Sequence, residues 1–258
     1  AMMQDEVRNE AYWEALRRLA PGRRVLEPGC GAGLLTALAV HAGAAGVSAV
    51  EREPATCECC ERVLALSRVE DKVELRCADV HDLHGPRSHD LFLAELMDDA
   101  GLGEQLVSIA AHARRHLLAS GAVMIPRRIC LYASLLELAG GATDKQLVNV
   151  LRAEDVDGVR LGAWDPYRPT TPSSSQILGR ARCRRLTPWV RAYDVDLARD
   201  CGDLSEAKPL RLPCSASGTA SALAVVWEAE LCDGVVLTNQ DPAIAREDYP
   251  QDRMAGLR

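Results

Sequence analysis

The chain has 258 residues and a formal net charge of −7 at pH 7, with 48% apolar and only 4% aromatic residues. That length buries a full core in one large or two modest domains, and with Phe92 as its single phenylalanine the core must rest on Leu, Val and Ala. The acid excess argues against a nucleic-acid surface, and no apolar run approaches the roughly 20 residues of a membrane span.

In chain order, Met2 to Leu19 reads as an amphipathic helix. Val7, Tyr12, Ala15, Leu16 and Leu19 share one face, with Asp5, Glu6, Arg8 and Glu14 turned towards water or a ligand. Pro21-Gly22 stops it. A strand over Arg24 to Leu26 runs into the glycine-rich stretch VLEPGCGAG, Val25 to Gly33, and a helix follows from Leu34 to Ala42, with Gly43 as its C-cap. Val47 to Val50 is a second strand, ending on Glu51. Pro54 to Ser67 reads as a helix, Lys72 to Arg76 as a strand, and Asp90 to Ala94 as a strand ending on Glu95. Leu106 to Leu118 is a helix broken by Ser120-Gly121, and Ala122 to Ile125 is a strand closed by Pro126. This alternation predicts an α/β fold, a Rossmann-like parallel sheet with crossovers over residues 1–126. Residues 127–258 change texture. Short β-like runs (Ile129 to Leu135, Cys183 to Leu186, Val190 to Val195, Leu210 to Leu212, Ala222 to Ala229) alternate with polar turns. They predict an antiparallel β domain with one helical or loop excursion near 145–175, containing the linker-like TTPSSS at Thr170 to Ser175.

A strand, a glycine turn, a helix and a second strand tipped by an acid form a cradle for an adenosine-type cofactor. The acid can accept both ribose hydroxyls. Gly29, Gly31 and Gly33 do not fit the dinucleotide spacing G-x-G-x-x-G. Further on, AELMDDAGLGEQ (Ala94 to Gln105) places Glu95 at a strand end and Glu104 nine residues later, beyond a loop with two glycines. Two carboxylates facing one point suit a guanidinium, whose planar donors pair bidentately with them. Alternatively Glu104 only begins a helix, where acids are favoured by the dipole. Asp98-Asp99 is either a solvated turn or a preference for basic residues in a peptide substrate. Ten cysteines lack regular spacing and no apolar leader opens the chain, which gives the expectation of a reducing cytoplasmic or nuclear compartment. Cys57, Cys59 and Cys60 (CECC) would point in different directions from one helix, and no second pair completes a zinc site. His81, Asp82 and His84 (HDLH) read as a polar loop, so no metal site is expected. The four tryptophans, Trp13, Trp164, Trp189 and Trp227, read as dispersed packing residues.

E-x-G-x-G-x-G at Glu27 to Gly33 resembles motif I of the class I S-adenosylmethionine methyltransferases. With it, MMQDEVRNEAYWEAL, Glu51, ELMDDAGLGE and AHARRHLLASGAVMIPRRICLYASLLE, in that order and at those distances, resemble the protein arginine methyltransferases, most nearly their type-seven branch. The resemblance is dense over residues 2–137 and thinner afterwards. It implies a class I methyltransferase sheet followed by a β barrel, with S-adenosylmethionine as cofactor and S-adenosylhomocysteine as product. Arg8 would then grip the methionyl carboxylate, with Asp5 supporting the first helix. Gly29, Gly31 and Gly33 would line the cofactor, Glu51 would hold the ribose, and Asp79 or Val80 would meet the adenine. Glu95 and Glu104 would be the catalytic pair that holds the acceptor arginine. The family's His-Trp loop has no counterpart in the nearest stretch, Arg246 to Met254, where Tyr249 would fill part of the acceptor wall. The dimerisation arm would fall within 145–175, giving a homodimer with no nucleic-acid or membrane partner. The implied function is methyl transfer to a guanidino nitrogen of protein arginine, stopping at one methyl group in one version. The alternatives are transfer to free L-arginine or another small guanidino metabolite, and a non-catalytic cofactor-binding partner of a related enzyme.

Overall fold

In this computed structural model, which describes residues 2–98, 100–138, 155–156, 159–160, 183–199 and 209–239, the first half of the chain alternates strands and helices as the apolar spacing predicts. Strands β1 (Arg24–Pro28), β2 (Gly46–Glu51), β3 (Val73–Cys77), β4 (His89–Leu93) and β5 (Leu118–Ile125) are all parallel, in the order β3-β2-β1-β4-β5. The order reverses between β1 and β4, and open α/β sheets bind ligands beyond the carboxyl ends of the strands at such a point. Both sheet faces are covered, so the strands read as near-continuous apolar runs. Val25, Leu91, Phe92 and Leu93 are wholly buried.

Helix α1 (Glu6–Leu19) begins later than predicted, because Met2–Gln4 is a separate 3-10 turn. The Asp5 side chain caps the helix by accepting from the Arg8 N–H at 3.1 Å. Its buried face is Arg8, Ala11, Tyr12, Ala15 and Leu16. That face corrects the expected one at two positions. Val7 is 58% exposed and Arg8 only 7%, because the stripe through Tyr12 and Ala15 runs back to residue 8 at helical spacing. Helices α2 (Leu34–His41), α3 (Pro54–Leu66) and α4 (Leu106–His116) follow. Ser120-Gly121 does not separate α4 from the next strand. It lies inside β5, where His89 pairs with Leu118 but Leu91 with Val123, and Gly121 takes a φ of +77° in the extra residues.

Beyond a cis Ile125-Pro126 peptide the chain builds a second, antiparallel sheet. It contains β6 (Arg128–Leu138), β9 (Cys183–Arg185), β10 (Val190–Asp196), β11 (Ala222–Cys232) and β12 (Val235–Thr238), ordered β10-β6-β11-β12 with β9 also on β6. Register shifts within β10 and β11 add local twist, and the sheet curls as a half-barrel. Of the excursion near 145–175, the described residues are the two-residue strands β7 (Asp155–Val156) and β8 (Val159–Arg160). TTPSSS and Trp164 lie outside them. Leu210 to Leu212 is not a strand, since Pro209 and Pro213 on either side remove ladder donors. Strand β12 was not expected, although Asp233-Gly234 is the standard two-residue hairpin signal and Gly234 has a φ of +77°. One core runs through both sheets, with Trp227, Ala229 and Leu231 of β11 joined to Tyr12 and Leu16. The Arg127 N–H donates to the Glu230 carbonyl at 2.7 Å across the junction.

Gly33 is the N-cap of α2, with φ +84°, and a Cβ there would stand 2.8 Å from the Cys60 Sγ. Gly121 has a similar φ but nothing within 4 Å. Alanine in the left-handed region costs about 1–2 kcal/mol by itself, and overlap in a packed site adds about 1–3 kcal/mol. Gly33→Ala should therefore lower the urea-unfolding free energy clearly more than Gly121→Ala. Equal effects would show that the Cys60 contact is not tight.

Candidate functional site

The carboxyl ends of β1, β2 and β4 open onto a cleft of about 550 Å³. Gly29 and Gly31 form its floor, both at positive φ, 69° and 55°, which L side chains rarely adopt. The turn is held by its own backbone, since Gly29 N–H and Cys30 N–H both donate to the Val50 carbonyl, at 2.8 and 3.1 Å. Glu51 stands where β2 ends, 8% exposed. Its two carboxylate oxygens accept from Gly31 N–H at 3.0 Å and Glu53 N–H at 2.9 Å. Those bonds fix the carboxylate towards the cleft and leave lone pairs for a diol. At the far end the wall is Ala78, Asp79, Val80 and His81. Asp79 caps its own 3-10 turn, accepting from His81 N–H at 2.9 Å, and that bond together with the His81 ring holds its carboxyl below the usual range. Val80 is buried against the same wall.

The opposite end carries the charges. Arg8 and Glu95 both line the cleft and pair at 3.7 Å, with side chains 9% and 13% exposed. Glu104 lines it as well. It does not cap α4. Gln105 is the N-cap, in the left-handed conformation, and makes no side-chain cap bond. Between the two acids the chain folds back on Asp98. Gly101 N–H donates to the Asp98 carbonyl at 2.9 Å and Gly103 N–H to its carboxylate at 3.0 Å. Burial pushes the Glu95 carboxyl up; Arg8 opposes this, and Glu104 and Asp5 add to it. The Glu104 carboxyl is raised by burial and then by Asp98. A cation placed between these two acids would reverse both shifts.

Of the residues read from sequence, the structure thus brings Arg8, Gly29, Gly31, Glu51, Asp79, Val80, Glu95 and Glu104 to one cleft. Gly33 does not line it. As the αL cap of α2 it turns its Cα towards Cys60 and Leu64 of α3, so its role is close packing. Tyr249 lies outside the described residues, as does the rest of Arg246 to Met254.

No family model matches the chain. It is 30% identical over 256 residues to an arginine N(omega)-methyltransferase of Streptomyces achromogenes, covering 93% of this chain and 65% of that protein. It is 36% identical over 263 residues to protein arginine N-methyltransferase 7 of Drosophila melanogaster, covering 93% of this chain and 37% of that one. In sequence the chain is similar to these arginine N-methyltransferases. It spans less than two thirds of the length of these relatives. In fold it is similar to the Trypanosoma brucei PRMT1 enzyme–prozyme complex with AdoHcy, at a TM-score of 0.68 and 19% identity over 92% of this chain and 75% of that one. It is similar also to Arabidopsis thaliana protein arginine methyltransferase 10, at 0.66 and 19% over 88% and 70%.

The roles of two residues escaped the reading of the sequence. Glu27 lies on the cleft floor, 2% exposed, and accepts from the Thr36 hydroxyl at 2.6 Å. Burial pushes its carboxyl up to about 8 against the Thr36 bond. Its signal was the leading acid of E-x-G-x-G-x-G. Trp227 of β11 donates its indole N–H to the Asp98 carbonyl at 3.0 Å and lies beneath Gly101, where a Cβ would meet its ring at 2.9 Å. It therefore clamps the loop carrying Glu95 and Glu104 onto the antiparallel sheet, and no spacing rule marks it.

A carboxyl whose folded pKa is raised contributes stability that is full below the unfolded value and is lost as pH rises through the folded one. Wild-type stability should therefore fall between pH 4.5 and about 8. Glu27→Gln should flatten that slope, as read by thermal unfolding at a series of pH values; an unchanged slope would place the titration elsewhere. Trp227→Phe keeps the ring and removes one of the two donors on the Asp98 carbonyl, Gly101 N–H being the other, at a cost of about 0.5–1.5 kcal/mol. Hydrogen exchange should quicken at Gly101 and Gly103 in that variant, with the parallel sheet unaffected.

Proposed function

We propose that this chain is an S-adenosylmethionine-dependent arginine N-methyltransferase, transferring a methyl group to a guanidino nitrogen of arginine in a protein. The observation that carries this reading is one cleft holding both an acid-tipped glycine cradle and the Glu95/Glu104 pair. The relatives' names, arginine N(omega)-methyltransferase and protein arginine N-methyltransferase 7, support the same chemistry.

The residues present fit the cofactor. Glu51 suits a ribose diol, the bare backbone of Gly29 and Gly31 admits close approach, and Arg8 with Glu27 complements the carboxylate and ammonium of an amino-acid end. When bound, S-adenosylmethionine supplies an electrophilic methyl group on a sulfonium. The chain's own residues handle the acceptor. An arginine side chain stays protonated to a pKa above about 12 and is a poor nucleophile. Glu95 and Glu104 would hold it by charge-assisted hydrogen bonds and draw its positive charge towards themselves, leaving one terminal nitrogen freer to react. Glu95 is shared with Arg8, which lowers its affinity for a proton, whereas Asp98 beside Glu104 raises that of Glu104. Both carboxyls are raised first by burial; with Glu95 engaged by Arg8, Glu104 is assigned as the acceptor for the proton lost as the nitrogen is methylated. Most of the acceleration comes from positioning and fixed charge.

The reading extends to a homodimer in the cytoplasm or nucleus. The compartment is supported by the ten irregularly spaced cysteines of the chain.

The test is mass spectrometry after incubation with labelled cofactor and either an arginine–glycine-rich peptide or free arginine. Label on the peptide is the expected result. Label on free arginine alone would move the acceptor to a small guanidino metabolite, and label on neither, with cofactor bound, would leave a non-catalytic partner. Glu104→Gln and Glu95→Gln should each lower turnover by at least about a hundredfold, the scale of losing one transition-state electrostatic contact, while cofactor still binds. Near-normal transfer by either variant would sink the assignment.

A further inference from the structure

The CECC run of α3 is not used by the reading above, and its cysteines divide by environment. Cys59 is exposed, while Cys57 and Cys60 are buried against the sheet. Each buried thiol meets a cysteine from the sheet side. Cys57 contacts the exposed Cys77, the last residue of β3. Cys60, wholly buried, has its Sγ 3.8 Å from the Sγ of Cys30. Cys30 sits in the middle of the glycine turn, is 6% exposed, and lines the 550 Å³ cleft. The tight approach at Gly33, where a Cβ would stand 2.8 Å from the Cys60 Sγ, keeps the two thiols together.

We propose that Cys30 and Cys60 are an oxidisable dithiol, whose disulfide, formed with hydrogen peroxide as oxidant, pins the glycine turn of the cleft to α3. The sulfurs are already in van der Waals contact, and a disulfide at about 2.05 Å needs them to approach by about 1.8 Å. The hydrogen bond between the two sulfurs eases loss of the Cys60 proton and holds the proton on Cys30, so the Cys60 thiolate stands in contact with the Cys30 thiol and can accept its proton as Cys30 reacts. Peroxide enters by the cleft and meets Cys30. As the Cys30 proton passes to Cys60, the Cys30 sulfur attacks one peroxide oxygen, the O–O bond breaks, and the departing hydroxide leaves as water with the proton that Cys60 first released, giving a sulfenic acid at Cys30. The Cys60 thiolate then attacks that sulfur, the S–S bond forms, the S–O bond breaks, and the hydroxide leaves as a second water with the Cys60 proton. Two thiols are oxidised and one peroxide is reduced.

The bond would draw the turn towards α3 at the segment whose Gly31 N–H orients Glu51. Its effect on ligand binding rests on reading this cleft as the cofactor site. The disulfide itself does not.

The full chain is treated with excess hydrogen peroxide, with and without S-adenosylhomocysteine. Free thiols are alkylated and the unreduced digest is mapped by mass spectrometry. The expected product is a peptide pair joined through Cys30 and Cys60, two hydrogens lighter than the separate thiols and released by dithiothreitol. S-adenosylhomocysteine should slow its formation by covering Cys30. The oxidised protein should bind S-adenosylhomocysteine at least about tenfold more weakly, a shift of one logarithmic unit in Kd, and recover on reduction. Cys60→Ala should abolish both the cross-link and the affinity change. Recovery of Cys30 and Cys60 both alkylated, or a cross-link only between Cys57 and Cys77, would overturn the proposal. An unchanged affinity in the cross-linked protein would overturn its coupling to the cleft. If the reduced protein fails to bind S-adenosylhomocysteine, the cofactor reading falls, and the peptide map still decides the dithiol.

Discussion

The Tyr12 hydroxyl donates to the Ala94 carbonyl at 2.8 Å, wholly buried and 82 residues away in sequence, and the placement of the charged end of the cleft depends on it. Ala94 is the residue between the end of β4 and Glu95, and its own N–H is held by the Ile125 carbonyl at 2.8 Å. The bond therefore joins α1 to a rigid point of the parallel sheet. Arg8 is four residues before Tyr12, one turn earlier on the same face, so docking Tyr12 on Ala94 sets Arg8 beside Glu95. Burial and the nearby acids push the tyrosine hydroxyl's pKa well up, which keeps it a neutral donor. A buried carbonyl left without that donor would carry a desolvation cost of about 1–3 kcal/mol, so α1 is located by a directional contact in addition to its apolar stripe.

The same dependence explains how the two sheets cooperate. Glu95 leaves the end of β4 with its position already set, but Glu104 follows a loop that the parallel sheet alone does not hold. The antiparallel sheet supplies the missing restraint through Trp227, which is itself fixed by Asn239 at its N–H, 2.8 Å, and by Thr238 at its carbonyl, 2.6 Å. Gly101, at φ +88°, admits the indole where any side chain would collide. One acid is thus placed by the parallel sheet and the other by the junction, and neither layer alone builds the pair.

Periodicity made most of the parallel layer legible, because near-continuous apolar strands and glycine stops are local signals. Glu51 and Glu95 were legible for the same reason, as acids at strand ends. What escaped the sequence depends on tertiary contact or on competing signals. Arg8 was read as facing water or a ligand, but its burial on the apolar face follows only from the docking of Tyr12, with Val7 exposed in exchange. Gly33 shares its spacing with Gly29 and Gly31 but answers to Cys60 on another helix. Trp227 carries no pattern, since its partner is a backbone carbonyl 129 residues away. Leu210 to Leu212 had the composition of a strand, but its flanking prolines cannot donate to a ladder, while β12 was overlooked despite its Asp-Gly turn.

The electrostatics of the cleft give a further reason to read it as a site for two ligands of opposite local demand. Carboxyls accumulate there, from the buried Glu27 through the partly buried Glu95 to the exposed Glu104. Glu27, Glu95 and Glu104 are all pushed up, each chiefly by burial. A fold optimised only for stability would replace such groups with apolar ones, because ionised acids in a poorly solvated site destabilise it. The cost is offset when cations occupy the cleft, since each cation lowers the carboxyl pKa values that burial has raised. Glu27 meets that demand at the end where Arg8 could pair with a carboxylate, and Glu95 with Glu104 meets it at the acceptor end. The cleft carries an excess of carboxyls, and the zwitterionic cofactor and guanidinium of the proposed function would supply the positive charge that offsets it.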